Sequence, residues 1–450
     1  MEARNMEHKA VATSASSHPA AIARLQIERD VIMAMQKPGL MYWGLVGLFA
    51  TIFAVLLLGT WAALIWKGIG LFGLQNPVGW AFDIINFVFW VGIAHSGTLI
   101  SAVLFLFRSK YRSSFNRAAE AMTVIAVMCA GMYPLIHLGR GWFFFWLLPY
   151  PNQRLLWTNF KSPLEWDVFA VSTYLTISVV FFYVGLIPDF AIVKRYTRGF
   201  SRHIYSALSL GWVGTKRQWR NYNMLYSLLA GIAAPLVLSV HSVVSWDFAM
   251  GLVPGWHTTI FAPYFVAGAI FSGCGMVLTL CIPMRKIQKL ERVMPIDHFE
   301  KLAKTMLFTS MIVGYAYTIE FLLAYYSGNV YEFGIFKDRA TGYYKYQYWG
   351  MVFCNMIVPL PLFIKKLRRN MKWLFITSIF VNIGMWLERF VIIVTSLAHE
   401  YDPYAWGVYH PRWPEWCLTI GTFGFFFMMF LLFCKFLPVV AITEKKEEVH

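Results

Sequence analysis

The sequence predicts an all-α membrane protein of ten transmembrane helices. They are arranged as two parallel four-helix-bundle repeats (spans 2–5 and 6–9), with spans 1 and 10 at the periphery. Three observations lead there. Of the 450 residues, 58% are apolar and only 14% charged, against about a quarter charged in globular chains. Mean hydropathy is +0.54, so lipid must solvate much of the surface. Ten runs exceed the length needed to cross hydrocarbon: residues 41–66, 79–107, 118–148, 163–190, 222–247, 257–283, 299–326, 347–365, 371–397 and 414–440. None alternates as a membrane β-barrel strand does.

The basic residues test the count. The formal net charge is +16, from 39 Lys and Arg against 23 Asp and Glu. With ten spans, 30 of the 39 fall on the side holding both termini, 7 on the other, and Arg140 and Arg389 inside spans. That asymmetry is the positive-inside pattern and predicts cytoplasmic termini. The charge excess is then topology, and nucleic-acid binding drops away. The expected organisation is a cytoplasmic tail (1–40), span 1 (41–66), a first bundle (79–247), a second (257–397), span 10 (414–440) and a cytoplasmic tail (441–450). Residues 20–35 could form a short amphipathic helix through Ile22, Leu25, Ile32 and Met33, though a simple tether is the favoured reading. The outer loops after spans 3 and 9 are rich in Pro, Trp and Tyr, which suits a docking face for an extracytoplasmic partner.

The internal repeat is weak but extended. Gly92, Ser96-Gly97 and Leu104 align with Gly268, Ser272-Gly273 and Leu280 at an offset of 176. Beyond a longer cytoplasmic loop the offset becomes 183, which sets Gly131 and His137 against Gly314 and Glu320. An even number of spans per unit makes the repeats parallel.

Six cysteines form no C-x-x-C pair and no Cys/His cluster, so a disulfide framework, a zinc site and a protein-bound iron–sulfur cluster are not expected. No span carries two histidines a few turns apart. His137 and His241 could face each other, but without a second pair haem is not expected either.

Ionisable side chains inside spans are the functional candidates. At 1.5 Å per residue, His137 would lie roughly 15 Å below the outer end of span 3, and Asp167, His241, Asp247, Glu320, Glu388 and Arg389 also fall in the outer half. His137 and Arg140 are spaced to share a helix face, and Pro134 should kink the helix just before them. Aromatic walls would come from Phe143, Trp157 and Trp166. A neutral imidazole and a carboxylate between flat apolar walls suit a quinol, whose two hydroxyls need two proton acceptors. His95 reads as a helix–helix hydrogen-bonding residue, and Asp83 and Glu165 as interfacial. Glu388 and Arg389, being adjacent, should not pair with each other, and Arg389 should meet Asp247 or Glu320 instead.

P-L-I-H-L-G-R-G around His137, P-L-E-W-D around Asp167 and S-V-H-S-V-V-S-W-D around His241 and Asp247 resemble the polysulfide-reductase membrane subunit (NrfD-like) family. The similarity covers about residues 40–440 and is greatest to the ten-helix ActC-type subunits of bacterial alternative complex III. The resemblance implies a quinone-binding subunit of a quinol:electron-acceptor oxidoreductase in the bacterial inner membrane, taking menaquinol or ubiquinol near the periplasm and holding no haem or iron–sulfur cluster. Electrons would pass to a periplasmic iron–sulfur subunit and multihaem cytochrome c subunits, beside a paralogous NrfD-like subunit and membrane lipids. It implies His137 and Asp167 as the quinol-binding, proton-accepting pair, with Arg140, Trp166 and Phe143 beside the quinone. Asp247, Glu320, Arg389, His241 and Glu388 would form a proton path. Two other readings are a secondary transporter and a purely structural membrane anchor. Parallel repeats and a shallow cluster count against the first.

Overall fold

The structure is a computed structural model that describes residues 19–36, 39–148 and 161–447. Among the described residues it is helical throughout, with no strand, as expected where backbone groups must be satisfied within each segment. A helix α1 (Pro19–Gln36) precedes α2 (Leu40–Lys67), α3 (Phe82–Leu106), α4 (Asn116–His137) and α5 (Pro163–Tyr196). A short α6 (Phe200–Leu208) leads to α7 (Lys216–Ala249), α8 (Phe261–Ile287) and α9 (Ile296–Tyr326). After α10 (Val330–Thr341) and α11 (Lys345–Val352) come α12 (Met371–Ala398) and α13 (Trp413–Phe436). A terminal turn, α14 (Ile442–Glu447), ends the described chain. Nine of these helices, α2–α5, α7–α9, α12 and α13, are long and apolar enough to cross a membrane.

The expected span 347–365 is not one helix. α11 passes into a π-helical turn, Phe353–Ile357, and then a 3-10 turn, Leu360–Phe363. Pro359 and Pro361 supply no backbone donors there, which breaks the α ladder. The third helix stops at His137, far short of the residue 148 expected for it, because Gly139 turns the chain at φ +67. Residues 141–147 then form a separate 3-10 helix.

Burial orders the helices. α3 is enclosed almost all round, every residue from Phe82 to Thr98 but Ile84 being buried, and it packs on α4 and α8. α5 and α7 pair beside it, while α9 and α12 pack on α8. α2 buries little and rests on α13. The two stretches aligned as an internal repeat pack against one another. The Ser96 side chain occupies the space that a Cβ at Gly273 would fill, and Ser272 lies beside Gly92.

The first and last described helices meet. α1 does not hang free as a tether: Val31, Ile32 and Met35 are buried against α13 and α14, whereas Ile22, Leu25 and Met33 of the expected apolar face are exposed. Lys446 pairs with Glu28, and Arg24 Nε donates to the Lys446 carbonyl at 3.2 Å. Nearby lies a buried ionic cluster. Arg117 pairs with Glu120 at 2.8 Å and with Asp189 at 3.2 Å, and Thr443 caps Asp189 through its backbone N–H and its hydroxyl.

Candidate functional site

Four helices of the first unit, α3, α4, α5 and α7, each bring one acid–base residue to within about a turn of the same end of the bundle. Asp83 opens α3. Its Oδ1 accepts from the backbone N–H of Ala81 at 3.3 Å and of Ile84 at 2.9 Å, as an acidic residue at a helix N-terminus should. Its Oδ2 meets Nδ1 of His137, the last residue of α4, at 2.5 Å. The Asp83 side chain is 1% exposed and that of His137 31%. The carboxylate is therefore buried behind an imidazole that opens outward. A carboxylate on Nδ1 fixes the ring and its tautomer, leaving Nε2 to accept a proton from an incoming group.

Asp167 lies in the second turn of α5, and Asp247 in the last turn of α7. Their carboxyl groups meet across the α5–α7 interface, and the preceding residues of the two helices, Trp166 and Trp246, meet edge to face at 6.2 Å between ring centroids. Each keeps one buried oxygen with no hydrogen bond among the described residues. Two carboxyls facing each other can share a single proton. His137 is bonded to Asp83, not to Asp167.

Deeper in the membrane, His241 of α7 meets His95 of α3, Nδ1 to Nδ1 at 3.0 Å, and both Nε2 atoms are buried with no partner among the described residues. His95 thus makes the helix–helix hydrogen bond expected of it. Beyond His241, Phe265 carries the Arg389 guanidinium over its ring at 4.3 Å. Arg389 pairs with its neighbour Glu388 at 2.7 Å, not with Asp247 or Glu320. Both side chains are long enough to bend into one buried space, and helix phase alone does not forbid it. Tyr317 donates to Glu388, and Asn355 Nδ2 donates to the Tyr317 hydroxyl at 2.8 Å. Glu320 instead shares a small cavity with Arg339 of α10. Arg339 is held by Thr395 and Ser396, each at 2.8 Å, and burial pulls its guanidinium below the usual arginine range while Glu320 opposes that shift.

Residues 70–399 match the family described as polysulphide reductase, NrfD. The chain belongs to the NrfD family. It is 22% identical over 378 residues to the Hdr-like menaquinol oxidoreductase integral membrane subunit of Archaeoglobus fulgidus, covering 82% of this chain and 83% of that one. It is 23% identical over 398 residues to the menaquinone reductase integral membrane subunit of Nitratidesulfovibrio vulgaris, covering 83% and 86%. A putative dimethyl sulfoxide reductase membrane subunit of Halobacterium salinarum is 28% identical over 227 residues, and there the match spans 50% of this chain and 48% of the other. With nine apolar helices among the described residues and this family, the chain is a multipass integral membrane protein.

Measured against the sequence, this NrfD-family chain keeps some candidates together and separates others. His137 and Asp167 stand at the same end of one bundle, and Asp247 joins Asp167. Arg140 does not share a helix face with His137, because α4 has ended and Arg140 is exposed beyond the turn. His137 is accordingly at the helix end, not deep below it. Phe143 stacks on Trp146 at 4.6 Å in the 3-10 helix after α4. Trp157 lies outside the described residues. The NrfD chain also uses residues the sequence did not single out. Asp83 is a buried partner of His137 rather than an interfacial residue, and the signal for it was an acid in the first turn of a mostly apolar span. Arg339, counted among outer-loop charges, is buried. Arg117, Glu120 and Asp189 form a buried ionic cluster that was not among the candidates. Among the described residues no group of three His, Cys, Asp or Glu side chains is placed to hold a metal ion.

Proposed function

We propose that this chain is the quinone-binding membrane subunit of a quinol-oxidising complex of the alternative complex III type. The observation that carries the reading is the outward-opening His137 backed by buried Asp83, at the same end as the Asp167–Asp247 pair. A quinol entering from the lipid gives one hydroxyl proton to Nε2 of His137, while Asp83 stabilises the imidazolium that forms. The second proton goes to the carboxylate shared by Asp167 and Asp247. The two electrons leave for an iron–sulfur cluster of a partner subunit docked on the outer face, and multihaem cytochromes carry them onward. Names of relatives that contain menaquinol and menaquinone favour a quinone as the bound substrate.

The topology we propose has ten crossings, counting the proline-broken passage from α11 to Phe363, and both termini in the cytoplasm of a bacterial inner membrane. The contact of α1 with α14 supports an even number, since an odd number would leave the ends on opposite faces. Spans 2–5 and 6–9 form the two bundles, with the site in the first. His241, Glu388, Arg389 and Glu320 lie inward of it and would serve as a proton path.

The test is quinol oxidation by the assembled, purified complex carrying His137→Ala. A positioned general base contributes about 10²–10⁴-fold, so turnover should fall at least 10²-fold with all subunits retained. Undiminished turnover in an assembled complex would leave the chain as an anchor and overturn the proposal.

A further inference from the structure

We infer that this chain holds an anionic phospholipid in a groove between its peripheral and central helices. α2 and α13 form one wall of an apolar groove of about 960 Å³ and α8 and α12 the other, with Leu45, Leu280, Ile379 and Phe427 among its lining. Along α13 the lining runs from Trp416 to Cys434, which is about 27 Å of helix and close to the ~30 Å thickness of a bilayer's hydrocarbon core. Half of that length is as deep as one leaflet, and most of the lining is apolar, with Thr279, Asn382 and Thr419 the polar exceptions along it.

Its character changes at one end only. On the side where α1 and α14 meet, the groove opens into a second pocket of about 480 Å³ that shares Gly39, Tyr42, Ile287, Gln288 and Cys434 with it. Lys289, Lys435 and Asp30 line this mouth. Asp30 is engaged by Arg292 at 3.9 Å, and no carboxylate lies within ion-pair reach of either lysine among the described residues. Lys435 Nζ donates to the Met35 carbonyl at 2.8 Å, which holds the ammonium at the rim. Lys289 is exposed and sits at φ +56 just past the end of α8, a conformation that glycine adopts more readily. A lysine held there directs a cation to the foot of the groove. A largely apolar trough at least a leaflet deep, with two lysines at its foot and an acid that faces Arg292, matches two acyl chains beneath a phosphate. An isoprenoid tail or a partner helix would use the trough but not the cations.

The experiment is lipid retention by the purified complex. Native mass spectrometry after detergent extraction should find phosphatidylglycerol or cardiolipin bound. Adding phosphatidylglycerol to delipidated complex should raise its melting temperature, whereas phosphatidylcholine should not. K289A/K435A should reduce anionic-lipid retention several-fold and abolish that difference. Leu280→Trp, which fills the trough and leaves the lysines, should reduce retention as well. Equal response to the two lipids, retention unchanged in both variants, or recovery of a quinone or a subunit's helix from the groove would each overturn the inference. Quinol turnover is read separately, since both variants lie away from His137 and Asp167.

Discussion

Asp83 is the residue on which the proposed chemistry turns, and it shows what a linear reading can miss. An acid in the first turn of a helix has an ordinary reason to be there, since the helix dipole and two free N–H groups welcome it. Only the fold reveals that its second oxygen holds His137. Asp83→Asn should keep the site's shape and remove the charge that stabilises the imidazolium. We expect quinol turnover to fall about 10²-fold or more with KM little altered, measured on the assembled complex. Asp83→Glu should restore part of it. A variant that loses quinol binding and turnover together would instead make Asp83 a binding group. His137 and Asp167 were legible because a buried titratable group in an apolar span has no cheap explanation. Arg140 misled because its spacing from His137 looked helical, although the flanking Gly139 and Gly141 mark a chain leaving the helix. The pairing of Glu388 with Arg389 was hidden for another reason. Helix phase describes where side chains start, and two long side chains in a cavity can still converge.

Among the elements, the helices were legible from their apolar length, but their ends were not. Hydropathy does not register where a glycine reverses the backbone, so α4 looked eleven residues longer than it is. Prolines spaced two apart turned the expected eighth span into α, π and 3-10 pieces. The contact between the two repeat stretches makes a sharper claim. A Cβ at Gly273 would collide with the Ser96 side chain, whereas one at Gly131 would meet nothing within 4 Å. Gly273→Ala should therefore destabilise the chain by about 1–3 kcal/mol through overpacking. Gly131→Ala should be neutral or slightly stabilising, since alanine suits a helix interior better. Thermal unfolding of the detergent-solubilised chain reads both. Equal effects would mean that the close approach of α3 and α8 does not limit stability.

At the scale of the whole molecule, the proposed topology rests on charge asymmetry, because Lys and Arg mark a face whatever the helix boundaries are. It could not show that some of those charges are structural. Arg117 counts toward the cytoplasmic excess, yet it is buried between Glu120 and Asp189. Removing one partner from a buried ion pair costs about 3–5 kcal/mol, so Arg117→Ala should lower the melting temperature markedly while Arg217→Ala, on an exposed stretch, should not. Deleting residues 441–450 should act similarly. It removes Thr443 from Asp189, Glu444 from Arg112 and Lys446 from Glu28. Protease added to the face where α1 and α14 meet should then cut within α1, which α14 otherwise protects.

The contact between α1 and α14 also has a meaning in time. A ribosome makes α1 long before α14, so α1 and the buried acid Asp189 wait, incompletely satisfied, until Thr443 and its neighbours have been added. A chain that stops short of α14 would present an uncovered helix and an uncapped carboxylate to proteases. α14 thus works as a latch that closes only after the nine apolar helices among the described residues have been made.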